Sequence, residues 1–393
     1  MSQPRNVLFV FGWLVVGGEE TEVRHLARWL DPARYRLEVL ACLRRPGMPD
    51  QTERQLEALD VPVDRTAYEL SFEDTIGYLA GRLPAFDLVV ACQAVPDVVP
   101  ALELAASRGA AVPPLIEHGG LVEEADKASP RAARYVGVCD SIRAAAARRL
   151  VGREKDALEI PSMVDLAEFR PADRPAVRAE LGLDPGAVTF AWVGRLDRKK
   201  RVEDFLRAAA IAREMERSAR FVIVGGPDAF MPEYAGELRE LAGRLGLDDA
   251  VLFLGDRPDV PRLLSGVDAL VWLARGEGMP HVIAEAGAAR LAVIATRDNG
   301  TLEQIDDGVS GIFVPHAEPA AAAAAMLRVA REPILRRRLA AALRAKVEAA
   351  YATGVIVGRW EALFDEVIAE RDEQPLVRPP VPQPPAPEPV ARR

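Results

Sequence analysis

Two glutamates stand in the stretch ARGEGMPHVIAEAGA, Ala274–Ala288, as Glu277 and Glu285. Glu277 lies between Gly276 and Gly278 in a turn ahead of Pro280, and Glu285 falls in the helical pattern that follows. Two acids can serve acid/base chemistry, hold a metal, or accept hydrogen bonds from hydroxyls. The spacing puts Glu285 about one and a half turns into a helix, so the two carboxyls are not set to share a proton. A loop carboxylate beside the amides of Gly278, Met279 and His281 suits a sugar hydroxyl, and one further into the helix suits a ribose diol. One solvated acid and one ordinary helical acid fit the same spacing.

A cationic knot precedes this stretch: VGRLDRKKRV, Val193–Val202. Gly194 gives room, Arg195 and Lys200 sit five apart, and Arg198, Lys199 and Arg201 add charge. Like charge at a helix start opposes the macrodipole, so a bound anion relieves a cost. Arginine forks onto phosphate oxygens and lysine adds a point charge, so a diphosphate suits the knot. A solvated basic face is the plain alternative. In VVGGEE, Val15–Glu20, Gly17 and Gly18 let a backbone approach closely or leave helix amides free for an anion. In DNGTLEQIDDGVSGIFVP, Asp298–Pro315, Gly300 and Thr301 offer amides and a hydroxyl, although turn chemistry alone accounts for them. Of the four histidines only His118, in LIEHGG, follows an apolar run and precedes two glycines. The sequence has neither clustered metal-ligand spacings nor an Asp-x-Asp, the usual means of holding a nucleotide-bound divalent ion.

These residues need elements to position them. Apolar runs at Asn6–Phe11, Arg36–Cys42, Leu88–Cys92, Pro114–Glu117 and Tyr135–Val138 alternate with helical patterns such as Glu22–Leu30. Proline-rich EIPSMVDLAEFRPADRP interrupts the alternation, and a second set begins at Val188. Short, continuous apolar strands separated by helices predict parallel sheets covered on both faces. The expected organisation is a Rossmann-like domain over 1–160, a linker over 161–173 and a second Rossmann-like domain over 174–350. A helix over 351–373, free to cross back to the first domain, and a proline-rich disordered tail over 374–393 complete it. Ligands of such folds bind at the C-terminal ends of strands, where these motifs fall.

A net charge of −9 excludes a general nucleic-acid surface. Cys42, Cys92 and Cys139 are sparse and odd in number, which points to reduced core thiols in a cytoplasm. No apolar run reaches the roughly 18–20 residues of a membrane span, which leaves peripheral contact with an inner membrane face open.

In order and spacing, VGRLDRKKRVEDFLRAAA, EGMPHVIAEAGA and NGTLEQIDDGVSGIFVP resemble the retaining nucleotide-sugar glycosyltransferases of glycosyltransferase family four, with looser support from GGEE, EHGG and CDSIRAAAARRL. The resemblance implies an α/β GT-B fold, two facing Rossmann-like domains with an interdomain crevice. It implies that Arg195 and Lys200 hold the donor diphosphate, with Gly17, Gly18, Gly300 and Thr301 beside it. Glu277, with Gly278, Met279 and Pro280, would meet the donor sugar, Glu285 the ribose, and His118 the reacting centre. His118 and Glu277 are the candidate catalytic groups. The linker reads Pro161, Ser162, Met163, Val164, Asp165 where the family often has Pro-Asn-Gly-Val-Asp, which weakens analogies about the acceptor.

The expected function is transfer of a hexose from a nucleoside diphosphate, UDP first among them, to a glycan, lipid-linked or small-molecule acceptor. Retention of configuration is expected, without a metal or other cofactor. A GT-B sugar-nucleotide epimerase or phosphorylase is the alternative enzyme, and a non-catalytic sugar-nucleotide-binding scaffold the alternative of another class.

Overall fold

The computed structural model describes residues 3–169 and 173–373; the stretch expected to be a disordered tail lies outside them. Two parallel sheets carry the chain. The first is built from β1 (Arg5–Trp13), β2 (Tyr35–Leu43), β3 (Val63–Asp64), β4 (Leu88–Cys92), β5 (Leu115–Gly119), β6 (Arg134–Gly137) and β7 (Ala157–Glu159). Its strand order is β3-β2-β1-β4-β5-β6-β7. The second is built from β8 (Thr189–Val193), β9 (Arg220–Val224), β10 (Val251–Phe253), β11 (Ala269–Trp272), β12 (Ala292–Thr296) and β13 (Ile312–Val314). Its order is β10-β9-β8-β11-β12-β13. All the strand pairings in both sheets are parallel.

Parallel strands require long crossovers, and helices in those crossovers cover both faces. This is why LVVAC (β4), TFAWV (β8) and AVIAT (β12) are buried at every position. In each sheet the chain first builds outward one way, then returns to the middle and builds the other way. The reversal falls between β1 and β4 in the first sheet and between β8 and β11 in the second. Such a reversal splays the flanking loops apart and leaves a crevice at the C-terminal strand ends. Loops after β1, β4 and β5 and loops after β8, β9 and β11 line one shared cavity.

The first helix starts at Gly18, four residues before the Glu22 expected from periodicity. Gly17 is its N-cap and supplies no side-chain acceptor, so the amides of the first turn are left uncapped. Trp192 on β8 and Trp272 on β11 stack 5.8 Å apart beneath the second sheet's crevice.

The chain passes between the two sheets twice. After β7, Val164 N donates to Tyr351 O at 2.8 Å, and Thr353 N donates back to Val164 O at 3.1 Å, so the two crossings are pinned side by side. The final helix, Thr353–Glu373, then packs on the first sheet. Its Ile356, Trp360, Phe364 and Val367 share a core with Val7, Phe9, Phe11 and Val90. No helix among the described residues is long and apolar enough to cross a membrane.

Trp360 is fully buried in that core. Trp360→Ala is expected to cost about 3–5 kcal/mol in urea unfolding, the range for truncating a buried large aromatic. A cost near zero would mean that the last helix does not complete the first domain.

Candidate active site between the two sheets

The cavity measures about 600 Å³. Its second-domain wall begins after β8. A Cβ at Gly225, after β9, would overlap the Gly194 carbonyl, so two glycines let these loops close on each other. Beyond Gly194, Arg195 Nη1 pairs with buried Asp228 Oδ2 at 3.0 Å. A short turn, Arg198–Lys200, is capped by Asp197 Oδ1, which accepts from Lys199 N at 2.8 Å. Lys200 Nζ reaches Glu277 Oε2 at 3.2 Å and stands 5.0 Å from the Trp272 ring centroid. The five cations of the knot do not act together. Arg198 turns out to Glu237 at 2.7 Å, and Arg201 pairs with Glu203 and Asp204 at 2.9 Å each. Arg195, Lys199 and Lys200 line the cavity.

Glu277 sits in the loop after β11. Asp298 Oδ2 accepts from Gly276 N and, at 3.2 Å, from Glu277 N, while Asn299 Nδ2 donates to Glu277 O at 2.8 Å. The backbone is thus clamped from behind and the carboxylate faces Lys200. Among the described residues the amides of Gly278 and Met279 make no hydrogen bond. Pro280 caps the helix His281–Ala288, and Glu285 lies a little over one turn into it. Glu277, Gly278, Met279, Pro280 and Glu285 line the cavity. Burial pushes the Glu285 carboxyl up to about 7, with the Arg24 guanidinium offsetting part of the rise.

Gly300 and Thr301 do not line the cavity, contrary to the expectation that they meet the diphosphate. Gly300 N donates to Gly278 O at 2.7 Å, and a Cβ there would overlap that carbonyl and Met279. The Thr301 hydroxyl is buried, donating to Thr296 O at 2.9 Å and accepting from Asp298 N at 2.8 Å. Their helix packs against the back of the Gly278 loop, so they hold its shape.

The first-domain wall carries Gly17 and Gly18 at the helix N-terminus and His118 at the end of β5. The His118 ring lies edge-on to Trp360, centroids 5.4 Å apart, and its Nδ1 is 3.9 Å from Cys92 Sγ. Burial pulls the imidazole down to about 4, so it is neutral at neutral pH. Its buried Nε2 has no partner among the described residues. The walls touch where a Cβ on Gly278 would overlap the Gly120 carbonyl.

Sequence reasoning passed over the acids beside the glycines and a second histidine. Glu19, Glu20, Glu22, Glu124 and His281 all line the cavity. Glu22 accepts from Trp360 Nε1 at 3.1 Å and from Met163 N at 3.2 Å, while His281 Nδ1 lies 3.2 Å from Met163 O. This network ties the first helix, the linker, the Glu285 helix and the final helix together. Burial raises both Glu20 and Glu22 to about 7. It lifts Glu19 well above the ordinary carboxyl range, with Glu124 and Glu20 adding to the rise. The doubled acid after a doubled glycine was the available signal.

Among the described residues one trio, His25, Asp165 and Glu168, brings three potential metal ligands within 4.8 Å of one another. Arg24 pairs with Glu168 at 2.9 Å, and Arg28 with Glu168 at 3.1 Å and Asp165 at 3.6 Å. Guanidinium groups stand where a cation would.

Residues 173–346 match the family described as glycosyl transferases group 1. A D-inositol 3-phosphate glycosyltransferase from Nocardia farcinica is 35% identical over 182 residues, 44% of this chain and 40% of that protein. The Saccharomonospora viridis protein of the same name is 34% identical over 203 residues, 50% of this chain and 47% of its own. The match therefore spans less than half the length of these relatives. Among solved structures, Anabaena HepE in complex with UDP and glucose is similar with a TM-score of 0.79 and 19% identity, covering 92% of this chain and 99% of that one. Sucrose-phosphate synthase from Thermosynechococcus elongatus is similar with a TM-score of 0.72 and 19% identity, covering 93% and 100%. These likenesses show the GT-B fold, two Rossmann-like domains facing across a crevice.

An unfolded glutamate ionises near 4.5, and the folded Glu285 carboxyl near 7. Between those values the folded chain keeps a proton that the unfolded chain has released, so stability falls as pH rises through this window and levels off above it. In urea unfolding, Glu285→Gln is expected to gain on the unsubstituted protein between about pH 5 and about pH 8, by up to about 3 kcal/mol. A difference that stays constant with pH would contradict the assignment.

Proposed function

We propose that this chain, a GT-B-fold protein whose residues 173–346 belong to the group 1 glycosyl transferases, moves a hexose from a nucleoside diphosphate to an acceptor hydroxyl. The observation that carries the reading is the Lys200–Glu277 pair, with Arg195 beside it, at the β8/β11 reversal. Before donor binding, lysine and glutamate neutralise each other. A sugar diphosphate separates them without leaving either alone: phosphate oxygens take Lys200 and Arg195, and sugar hydroxyls donate to Glu277. The unbonded amides of Gly278 and Met279 face the same sugar. Glu285, further along the cavity, meets the ribose.

UDP is the proposed nucleotide, supported by the similarly folded HepE, which was solved with UDP and with UDP-glucose. In this reading the departing diphosphate is stabilised by Arg195, Lys200 and the uncapped amides at Gly17 and Gly18. It assigns no metal. Neutral His118 lines the cavity on the first-domain side and packs against the acceptor beside the reacting centre. Retention follows from attack on the face the diphosphate leaves, where a phosphate oxygen accepts the hydroxyl proton. Glu277, engaged by sugar hydroxyls once the donor is bound, is not assigned the part of a retaining glycosidase's nucleophile.

The test is release of UDP from a panel of UDP-sugars, with thermal shift reporting binding. Lys200→Ala is expected to lower turnover by about 10²–10³, the usual loss for one group aimed at developing charge. Glu277→Ala is expected to bind UDP and fail to transfer, and EDTA to leave the rate unchanged. Full turnover by Glu277→Ala overturns the assignment, and a rate abolished by EDTA and restored by Mg²⁺ overturns the metal-free account.

A further inference from the structure

Lys200 has two partners at the cavity, and one of them is not an ion. Among the described residues its ammonium makes one hydrogen bond, to Glu277 Oε2 at 3.2 Å, and it stands over the Trp272 ring, 5.0 Å from the centroid. Trp272 is the last residue of β11, and its buried ring lines the cavity.

Packing alone does not account for a tryptophan at this place. A strand of this sheet can be buried with small and aliphatic side chains, as β12 is with AVIAT. The Trp272 indole N–H is instead buried without an acceptor among the described residues, and so is that of Trp192, stacked against it at 5.8 Å. A buried donor left unpaired costs stability. The two rings also carry the loop that holds the cations. A Cβ at Gly194 would lie 3.4 Å from carbons of both, an ordinary contact distance, so Gly194 rests on the pair just ahead of Arg195.

In the proposed function Glu277 turns to the donor sugar, whose hydroxyls compete with Lys200 for its carboxylate. The ring face is not open to that competition. Its partial negative charge attracts an ammonium, and it brings no net charge against a diphosphate. We propose that Trp272 is a positioning residue, an uncharged support that keeps the Lys200 ammonium at the diphosphate once Glu277 has left it.

This inference rests on the transferase reading and acts through Lys200, so its test is a double-mutant cycle. UDP release from saturating UDP-hexose is measured for the unsubstituted protein, Trp272→Leu, Lys200→Ala and the double variant. Trp272→Leu is expected to lower kcat about tenfold, and Trp272→Phe, which keeps a ring face, by no more than about threefold. In the Lys200→Ala background the change from Trp272→Leu is expected to fall below about twofold, because a residue acting through another does not add to its loss. A tryptophan that only packs gives the same loss in both backgrounds. Incorporating 5-fluorotryptophan covers the case in which Trp272→Leu does not fold, since fluorine draws charge from the ring face and barely changes its shape. It is expected to lower kcat about twofold with Lys200 present and to leave Lys200→Ala unchanged. Equal losses in the two backgrounds, or full turnover by a folded Trp272→Leu, overturns the positioning role and leaves the transferase reading standing. Failure of the unsubstituted protein to release UDP from every donor removes the transferase reading and this inference with it.

Discussion

A parallel sheet sends all of its strand ends to one edge, and a sheet that reverses its winding opens that edge at one place. The rest of the site depends on this constraint being met twice and face to face. The β8/β11 reversal sets Arg195 and Lys200 on one lip and Glu277 on the other. The β1/β4 reversal sets Gly17, Gly18 and Gln93 across from them, with His118 one strand further on. Neither crevice alone holds both the inward-facing cations of the second domain and the buried acids and imidazole of the first.

The closeness of the walls determines the electrostatics. Gly278 meets the Gly120 carbonyl with no room for a methyl group, and Gly18 lies against the His281 ring. Charged forms buried between the walls lose solvation. Carboxyls at Glu20, Glu22 and Glu285 rise to about 7, and imidazoles at His118 and His281 fall to about 4. Desolvation strengthens each remaining attraction, so the Lys200–Glu277 pair counts for more here than an exposed pair would. The last helix reinforces this from beneath: Trp360 packs under His118 and donates to Glu22.

The strands were legible because burial on both faces turns each one into an unbroken apolar run. The start of the first helix was not, because Gly17 caps it without a side chain, and helical periodicity becomes visible only at Val23 and Leu26. That Arg195, Lys200, Glu277 and Glu285 meet at one cavity could be read from charge types placed just after strands. Their partition could not. Which cations of the knot face inward depends on Glu237, Glu203 and Asp204, whose positions are tertiary facts. Gly300 and Thr301 were misplaced because nearness in sequence to a site says where the backbone goes and not which side it presents. Glu19 and Glu20 looked like the ordinary acids of a helix's first turn. Only the packing of that turn against β5 and the linker makes them part of a cavity.

The proposed chemistry turns on a nucleotide sugar lying along the second domain's lip, from Glu277 to Glu285. The most direct measurement is a crystal structure with a UDP-hexose bound. Diphosphate oxygens are expected on Arg195 and Lys200, hexose hydroxyls on Glu277 and the ribose diol on Glu285. A UDP-hexose seated elsewhere, or one that leaves the Lys200–Glu277 pair unbroken, would contradict it.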